Sequence, residues 1–404
     1  MSLKPVYLSR ELGADKPANV ASMLEDIKAL LPAIAADAAK VEAQRKPMDH
    51  HMQALADIGL YRFFVPKRFG GVEFPLTAFV DVGLLLAQAC PSTAWTTTFC
   101  MEHNWMFAQL PLETQQELFS KVPWVIAPGV INLGGSAELT ADGFRLAGRW
   151  PWGTGVMHSD WALLSGIVLD PNKETKEIRL FAVPMDKVEI IDTWHMDGMA
   201  GTGSHDLVVH EAIVPERYST TVSGMTLGRG AGALALGSPM FRMPMMPILY
   251  LAAGAPAIGA ARGALNSFVA RAPERLKFGS KQKQSDSAAT QILIGQVKAQ
   301  IDTAEVIARQ VASECMAWGE AEEVCPLEVR VRHRLLMNQA VRLARDSIRD
   351  LFENSGATAH RNDQALQRFH RDIHTIAAHT VFDMSVIAEQ AGRLELGMPL
   401  TAPL

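Results

Sequence analysis

The sequence predicts an α+β fold, mostly α, in three consecutive parts: an N-terminal helical domain (1–121), a central β-barrel or sandwich (122–229) and a C-terminal four-helix bundle (230–404). Three observations carry this. Apolar residues recur at helical spacing up to about residue 118; short β-like runs separated by turn residues fill 122–214; helical spacing then returns from about 230 in four long segments with no strands between them. At 404 residues the chain exceeds a single ordinary core, which leaves room for a cavity between packed regions.

In the first part Met23, Ile27, Leu30 and Leu31 repeat at three and four, as do Phe79, Val82, Leu85 and Leu86. Between these helices Gly59, Gly70 and Gly71 mark a loop whose glycines suit positive backbone angles. In the middle part residues 161–169, 178–183 and 207–214 read as strands, and residues 170–175 form the polar tip of a hairpin. Residues 243–261 carry no charge and imitate a membrane span. Their three prolines and two glycines, set between charged neighbours, favour a buried helix after an irregular segment. Amphipathic segments over 291–318, 327–352 and 363–392 supply the other long helices.

The net charge of −5 and scattered Lys and Arg give no electrostatic footprint for nucleic acid. Cys90, Cys100, Cys315 and Cys325 match neither a zinc pattern nor a dense disulfide framework and read as buried thiols of a reducing compartment. The first ten residues lack the apolar run of a secretory signal, so a cytoplasmic protein is expected. His370 and His374, four apart on one helical face, have no identifiable third ligand, and no metal is expected. Gly201-Thr-Gly-Ser204 is too short for a dinucleotide fingerprint, so no nicotinamide site is expected in this chain.

Several motifs, in order, carry a resemblance over nearly the whole chain. They are Gly59-Leu-Tyr-Arg62, Pro66-Lys-Arg-Phe-Gly-Gly71, Cys90-Pro-Ser-Thr-Ala-Trp95 with His103-Asn-Trp105, Gly148-Arg-Trp-Pro-Trp-Gly-Thr-Gly155, Gly198-Met-Ala-Gly-Thr-Gly-Ser204, and Asn354-Ser-Gly356 leading to the histidine-rich segment that ends at His379. Together they resemble the acyl-CoA dehydrogenase fold in its flavin-dependent monooxygenase branch, the oxygenase components of two-component aromatic hydroxylases. The dehydrogenases take a substrate proton with a carboxylate. Its matching position here is Thr380, and the bundle helix that supplies the base in another branch has no Asp or Glu between Arg229 and Glu274.

The resemblance implies reduced FMN or FAD, O2 as co-substrate, a flavin hydroperoxide, a separate flavin reductase, a small phenol- or indole-like substrate and a homotetramer. It implies His103, His379 and Thr154 as catalytic residues. Flavin contacts fall to Trp152, Gly153, Thr154, Arg275, Phe278, Asn354 and Gly356, with Arg275 and Phe278 reaching a neighbouring subunit's flavin. Substrate contacts fall to His103, Trp105, Thr202, Ser204 and His379, with His374 left open. The glutamine that the family places after Arg275 is replaced around Asp286. The rival expectations are an acyl-CoA dehydrogenase or nitroalkane oxidase relative, and a catalytically silent flavin-binding assembly subunit.

Overall fold

In a computed structural model, which describes residues 3–9, 17, 19–169, 177–276 and 279–401, the N-terminal part holds five helices. These are α1 (Val20–Gln44), α2 (Asp49–Asp57), α3 (Leu76–Ala89), α4 (Pro91–Phe107) and α5 (Leu112–Phe119). Helix α1 starts on a reciprocal cap in which the Asn19 side chain accepts from Ser22 N–H. In the loop after α2, Gly70 has φ +96, as expected. Gly71 does not have a positive φ; its reason is close approach, because a Cβ there would lie 1.6 Å from the Val65 carbonyl oxygen.

The middle part is one seven-stranded sheet of β1 (Gly129–Thr140), β2 (Gly143–Trp150), β3 (Trp161–Leu169), β4 (Glu177–Pro184), β5 (Glu189–Ile191), β6 (Asp206–Val214) and β7 (Ser219–Thr221). The strand order is β5-β6-β2-β1-β3-β4-β7, with β1 and β3 parallel and the other pairs antiparallel. Strand β4 also meets β6, with three strands between them in the sheet order, so the sheet curls around its own core of Trp150, Leu146, Leu164, Phe181 and Leu207. The hairpin tip at 170–175 lies outside the described residues.

Short helices α6 (Val222–Thr226), α7 (Ala231–Leu236) and α8 (Pro239–Arg242) lead to the long α9 (Met245–Arg271), α10 (Ala288–Glu320) and α11 (Leu327–Glu353). Helix α9 is apolar all round because it is packed all round, and it shares one core with α3 and α4 of the N-terminal part. Its most apolar window is 94% buried, so its length and composition reflect an interior position. Pro256 inside α9 cannot donate to the Ala252 carbonyl, and Thr98 Oγ1 of α4 donates to that carbonyl instead, at 2.8 Å. Replacing Thr98 with Val should therefore destabilise the protein by about 1–3 kcal/mol, the range for a buried polar group left unpaired. Thr98→Ser should restore most of that loss in urea unfolding.

The segment over 363–392, expected as one long helix, is two: α12 (Ala365–Ala377) and α13 (Met384–Glu395). His379 leaves the helix with extended backbone, a 3-10 turn spans Thr380–Phe382, and Asp383 starts α13 by accepting from the N–H groups of Ser385 and Val386. Side chains of α11 take up the freed carbonyls: Arg334 donates to Thr380 and Val381, and Asn338 donates to Val381. The break faces the cavity described next.

Candidate active site

A cavity of about 930 Å³ lies between α4, the start of β1, the segments 151–154 and 194–204, α9 and the α12–α13 break. Trp95 and Phe99 of α4, with Met246 and Leu249 of α9, make its apolar wall. Thr380 lines it without a carboxylate. Asp197, exposed at the edge, is the only acidic side chain lining the cavity among the described residues.

One wall carries a chain of hydroxyls. Thr154 Oγ1 lies 2.9 Å from Ser204 Oγ, which lies 2.9 Å from Thr202 Oγ1, and Thr202 donates to the Met199 carbonyl at 3.0 Å. Trp95 Nε1 donates to Thr154 Oγ1 at 3.4 Å. With the far end fixed by Met199, Thr202 must accept from Ser204 and Ser204 from Thr154. Thr154 is then left with an unused lone pair facing the cavity, an acceptor for an N–H group.

Trp152, with φ +68 and 54% exposed, presents its indole at the same wall; a non-glycine residue in this backbone region marks a site of constraint. Gly153 does not line the cavity. A Cβ there would meet Leu207 Cδ1 at 2.7 Å, so its role is to let this turn dock on β6, where its N–H also bonds the His205 carbonyl.

The loop carrying Thr202 and Ser204 is tied down by Asp372 of α12, whose Oδ1 accepts from Met199 N–H at 2.6 Å. Burial pushes the Asp372 carboxyl up to about 6, against the opposing effect of that bond. A raised carboxyl stabilises fully below its unfolded value near 3.8 and loses that contribution as pH rises through about 6. Asp372→Asn should therefore gain stability relative to the native chain between pH 4 and pH 7.5, by at most about 3 kcal/mol. Urea unfolding at the two pH values measures the difference.

His379 lines the cavity at the helix break, its ring 5.6 Å from that of Trp95, and loss of surrounding water lowers its imidazole to about 4. His370 and His374 also line the cavity, their rings 4.6 Å apart, with His370 stacked on Phe352 at 4.2 Å. His103 is one layer back. It packs behind Phe99, ring centroids 5.8 Å apart, and against Gly129, where a Cβ would lie 2.5 Å from its Nε2. Its Nδ1 lies 2.6 Å from the Ala127 carbonyl, which fixes the proton on Nδ1 and leaves Nε2 as a lone pair. Trp105 corrects an expectation: it is fully buried, turned away from the cavity, and its Nε1 donates to the Met240 carbonyl at 2.8 Å.

Arg275, Asn354 and Gly356 form a second cluster that shares no residue with the cavity lining. Arg275 Nη1 donates to the Asn354 carbonyl at 2.8 Å, and its Nη2 would lie 2.4 Å from a Cβ on Gly356. Phe278 lies outside the described residues. Two places before Asp286, Gln284 is buried, accepts from Arg275 and donates to the Asn354 carbonyl at 3.0 Å. Glu102, a carboxylate in the middle of the buried helix α4, also escaped the sequence reading.

Residues 251–384 match the model of the acyl-CoA dehydrogenase C-terminal domain. The chain is 30% identical to a pigment production hydroxylase from a Rhodococcus strain over 95% of its own length and 98% of that protein's. It is also 30% identical to the oxygenase subunit HsaA of a flavin-dependent monooxygenase from Rhodococcus jostii, over 94% and 99% of the two chains. The chain belongs to the oxygenase components of flavin-dependent monooxygenases. Its fold superposes on that of XiaF from Streptomyces, solved with FADH2 and glycerol, with a TM-score of 0.87, 28% identity, and 95% and 97% of the two chains covered. As an oxygenase component it uses reduced flavin, supplied by a separate reductase, and O2.

Proposed function

We propose that this chain hydroxylates a small phenol- or indole-like ring held in the 930 Å³ cavity, between Trp95 and Phe99 on one side and the α12–α13 break on the other. The observation that carries this reading is the Trp95–Thr154–Ser204–Thr202 hydroxyl chain, which ends in a free acceptor at Thr154, in a cavity with no carboxylate at Thr380 or on α9. An acceptor fits the ring N–H of a reduced flavin, and a flat indole at Trp152 fits its face. When bound, the flavin supplies activation of O2 and delivery of one oxygen atom to the substrate ring.

The protein's own part is then threefold. Thr154 holds the flavin N–H, the apolar wall from Trp95 to Leu249 excludes water, and His379 faces the substrate. His379 is neutral at pH 7 because loss of surrounding water lowers its imidazole to about 4, and its Nδ1 accepts from Val381 N–H at 3.4 Å, which leaves Nε2–H as a hydrogen-bond donor. The hydroxyl chain serves no purpose for proton removal from an acyl chain, which disfavours the dehydrogenase and nitroalkane oxidase readings. Four buried free cysteines agree with a reducing, cytoplasmic setting.

Arg275, Gln284, Asn354 and Gly356 do not reach the cavity of their own chain, so in this reading they serve the flavin phosphates of a neighbouring subunit in a homotetramer. The test is oxygen uptake and product analysis with chemically reduced FMN or FAD and a panel of phenols and indoles. Hydroxylated product is expected with at least one ring. Uptake that yields only hydrogen peroxide with every ring would refute the reading.

A further inference from the structure

Helix α1 passes alongside the first turn of α2, and there Asp37 of α1 meets His50 and His51 of α2. His51 Nε2 lies 3.1 Å and His50 Nε2 3.3 Å from the same carboxylate oxygen, Oδ2. The three ligand atoms all lie within 4.8 Å of one another. His51 is buried, Asp37 is partly buried and His50 is exposed, so the cluster opens to solvent on the His50 side. Lys40, one turn along α1, holds the other carboxylate oxygen, Oδ1, at 2.7 Å, which orients the carboxylate and leaves Oδ2 to the two imidazoles. None of the three residues lines the cavity, and the hydroxylation proposed above makes no use of them.

We propose that Asp37, His50 and His51 form a site for a divalent transition-metal ion of the Zn²⁺ class, with a fourth position open to water. Two imidazole nitrogens and one carboxylate oxygen suit Zn²⁺, whereas Ca²⁺ and Mg²⁺ prefer oxygen alone. With metal–ligand distances of about 2.0–2.2 Å, the edges of a tetrahedron are about 3.3–3.5 Å. The two N···O separations therefore need little adjustment, and the exposed His50 side chain can turn to close the remaining N···N edge. As a ligand each ring carries its proton on Nδ1 and turns the Nε2 lone pair to the ion. The Lys40 contact on Oδ1 is the outer partner that fixes a ligating carboxylate.

A second convergence in the molecule lacks this property. His195 Nε2 and His205 Nδ1 stand 3.2 and 3.5 Å from Asp192 Oδ1, but Arg45 donates to both oxygens of that carboxylate, so a guanidinium already fills the place of a cation. An ion at Asp37, His50 and His51 joins α1 to the start of α2. The preceding residue, Asp49, lies 2.8 Å through its Oδ1 from His158 Nε2, just beyond the turn that carries Thr154. Fixing the start of α2 thus also braces one side of the cavity's hydroxyl wall.

The test titrates Zn²⁺ into the chelator-treated native chain, with bound metal read by competition against a chromophoric chelator, and repeats the titration with Co²⁺ for its visible ligand-field spectrum. One ion per chain should bind at micromolar concentration or below, and Co²⁺ should give the spectrum of a site of low coordination number. His50→Ala, at an exposed position, and Asp37→Asn, which keeps the side chain's shape, should each weaken binding by at least about 10–100-fold, the cost of losing even an outer partner of a metal ligand. His210→Ala, which removes an exposed histidine paired with Glu189, should leave binding unchanged. Zn²⁺ should also raise the melting temperature of the native chain and not that of the two site variants. The proposal is overturned if Zn²⁺ binds only at millimolar concentration, if either site variant binds it as tightly as the native chain, or if His210→Ala loses as much affinity as they do.

Discussion

Replacing Thr154 with Ala is expected to leave oxygen uptake running while product formation falls by about two orders of magnitude, the missing product appearing as hydrogen peroxide. Thr154 lines the cavity and keeps a free lone pair, because Trp95 donates to only one of its two and its own proton is committed to Ser204. Removing a single preorganised hydrogen-bonding group from a water-excluded site costs about 10²–10³ in rate. The lost methyl and hydroxyl leave a small gap beside Ser204, yet flavin affinity should change little, since most of the contact area lies elsewhere. Thr154→Ser keeps the hydroxyl and should recover coupling. Product and peroxide measured per O2 consumed distinguish this outcome from a general loss of folding, which would lower both together.

Arg275→Ala is expected to weaken flavin binding by about 10–100-fold, the equivalent of one charge-assisted hydrogen bond. In a single chain the Arg275 guanidinium is held by Gln284 and the Asn354 carbonyl, beside a glycine at 356 that a side chain would push away. This geometry presents a cation and backbone groups together, outside their own cavity. Flavin titration followed by fluorescence should show the weaker binding, while light scattering should still report a tetramer. A monomer that binds flavin as tightly as before would show that the phosphates are held within one chain.

The order helix, sheet, helix was legible because the apolar period changes at both boundaries, and the fully apolar stretch of α9 could be read as interior from its prolines and glycines. The absent carboxylate was legible too, since it depends only on which residue types stand at Thr380 and along α9. Other features depend on packing that the period does not record. The break between α12 and α13 interrupts a pattern that continues on both sides of it, and Asp383 as a cap was its one local signal. His103 and Trp105 sit in one motif, yet two helical residues apart they point about 200° away from each other, so only one of them could approach the cavity. Glu102 was visible as a charge in an apolar helix, but its contact with His103 Nε2 required coordinates. The contacts of Gln284 with Arg275 and Asn354 likewise depend on how the loop after Arg275 folds back.

Oxygen transfer from O2 to an aromatic ring is the step on which the proposed function rests, and labelled oxygen follows that atom itself. The native chain, mixed anaerobically with reduced flavin and a panel of phenols and indoles and then exposed to ¹⁸O2, should yield a product carrying one heavy oxygen atom, as read by mass spectrometry. Product labelled from water, or no labelled product from any ring while acyl-CoA or a nitroalkane reduces the oxidised flavin, would contradict it.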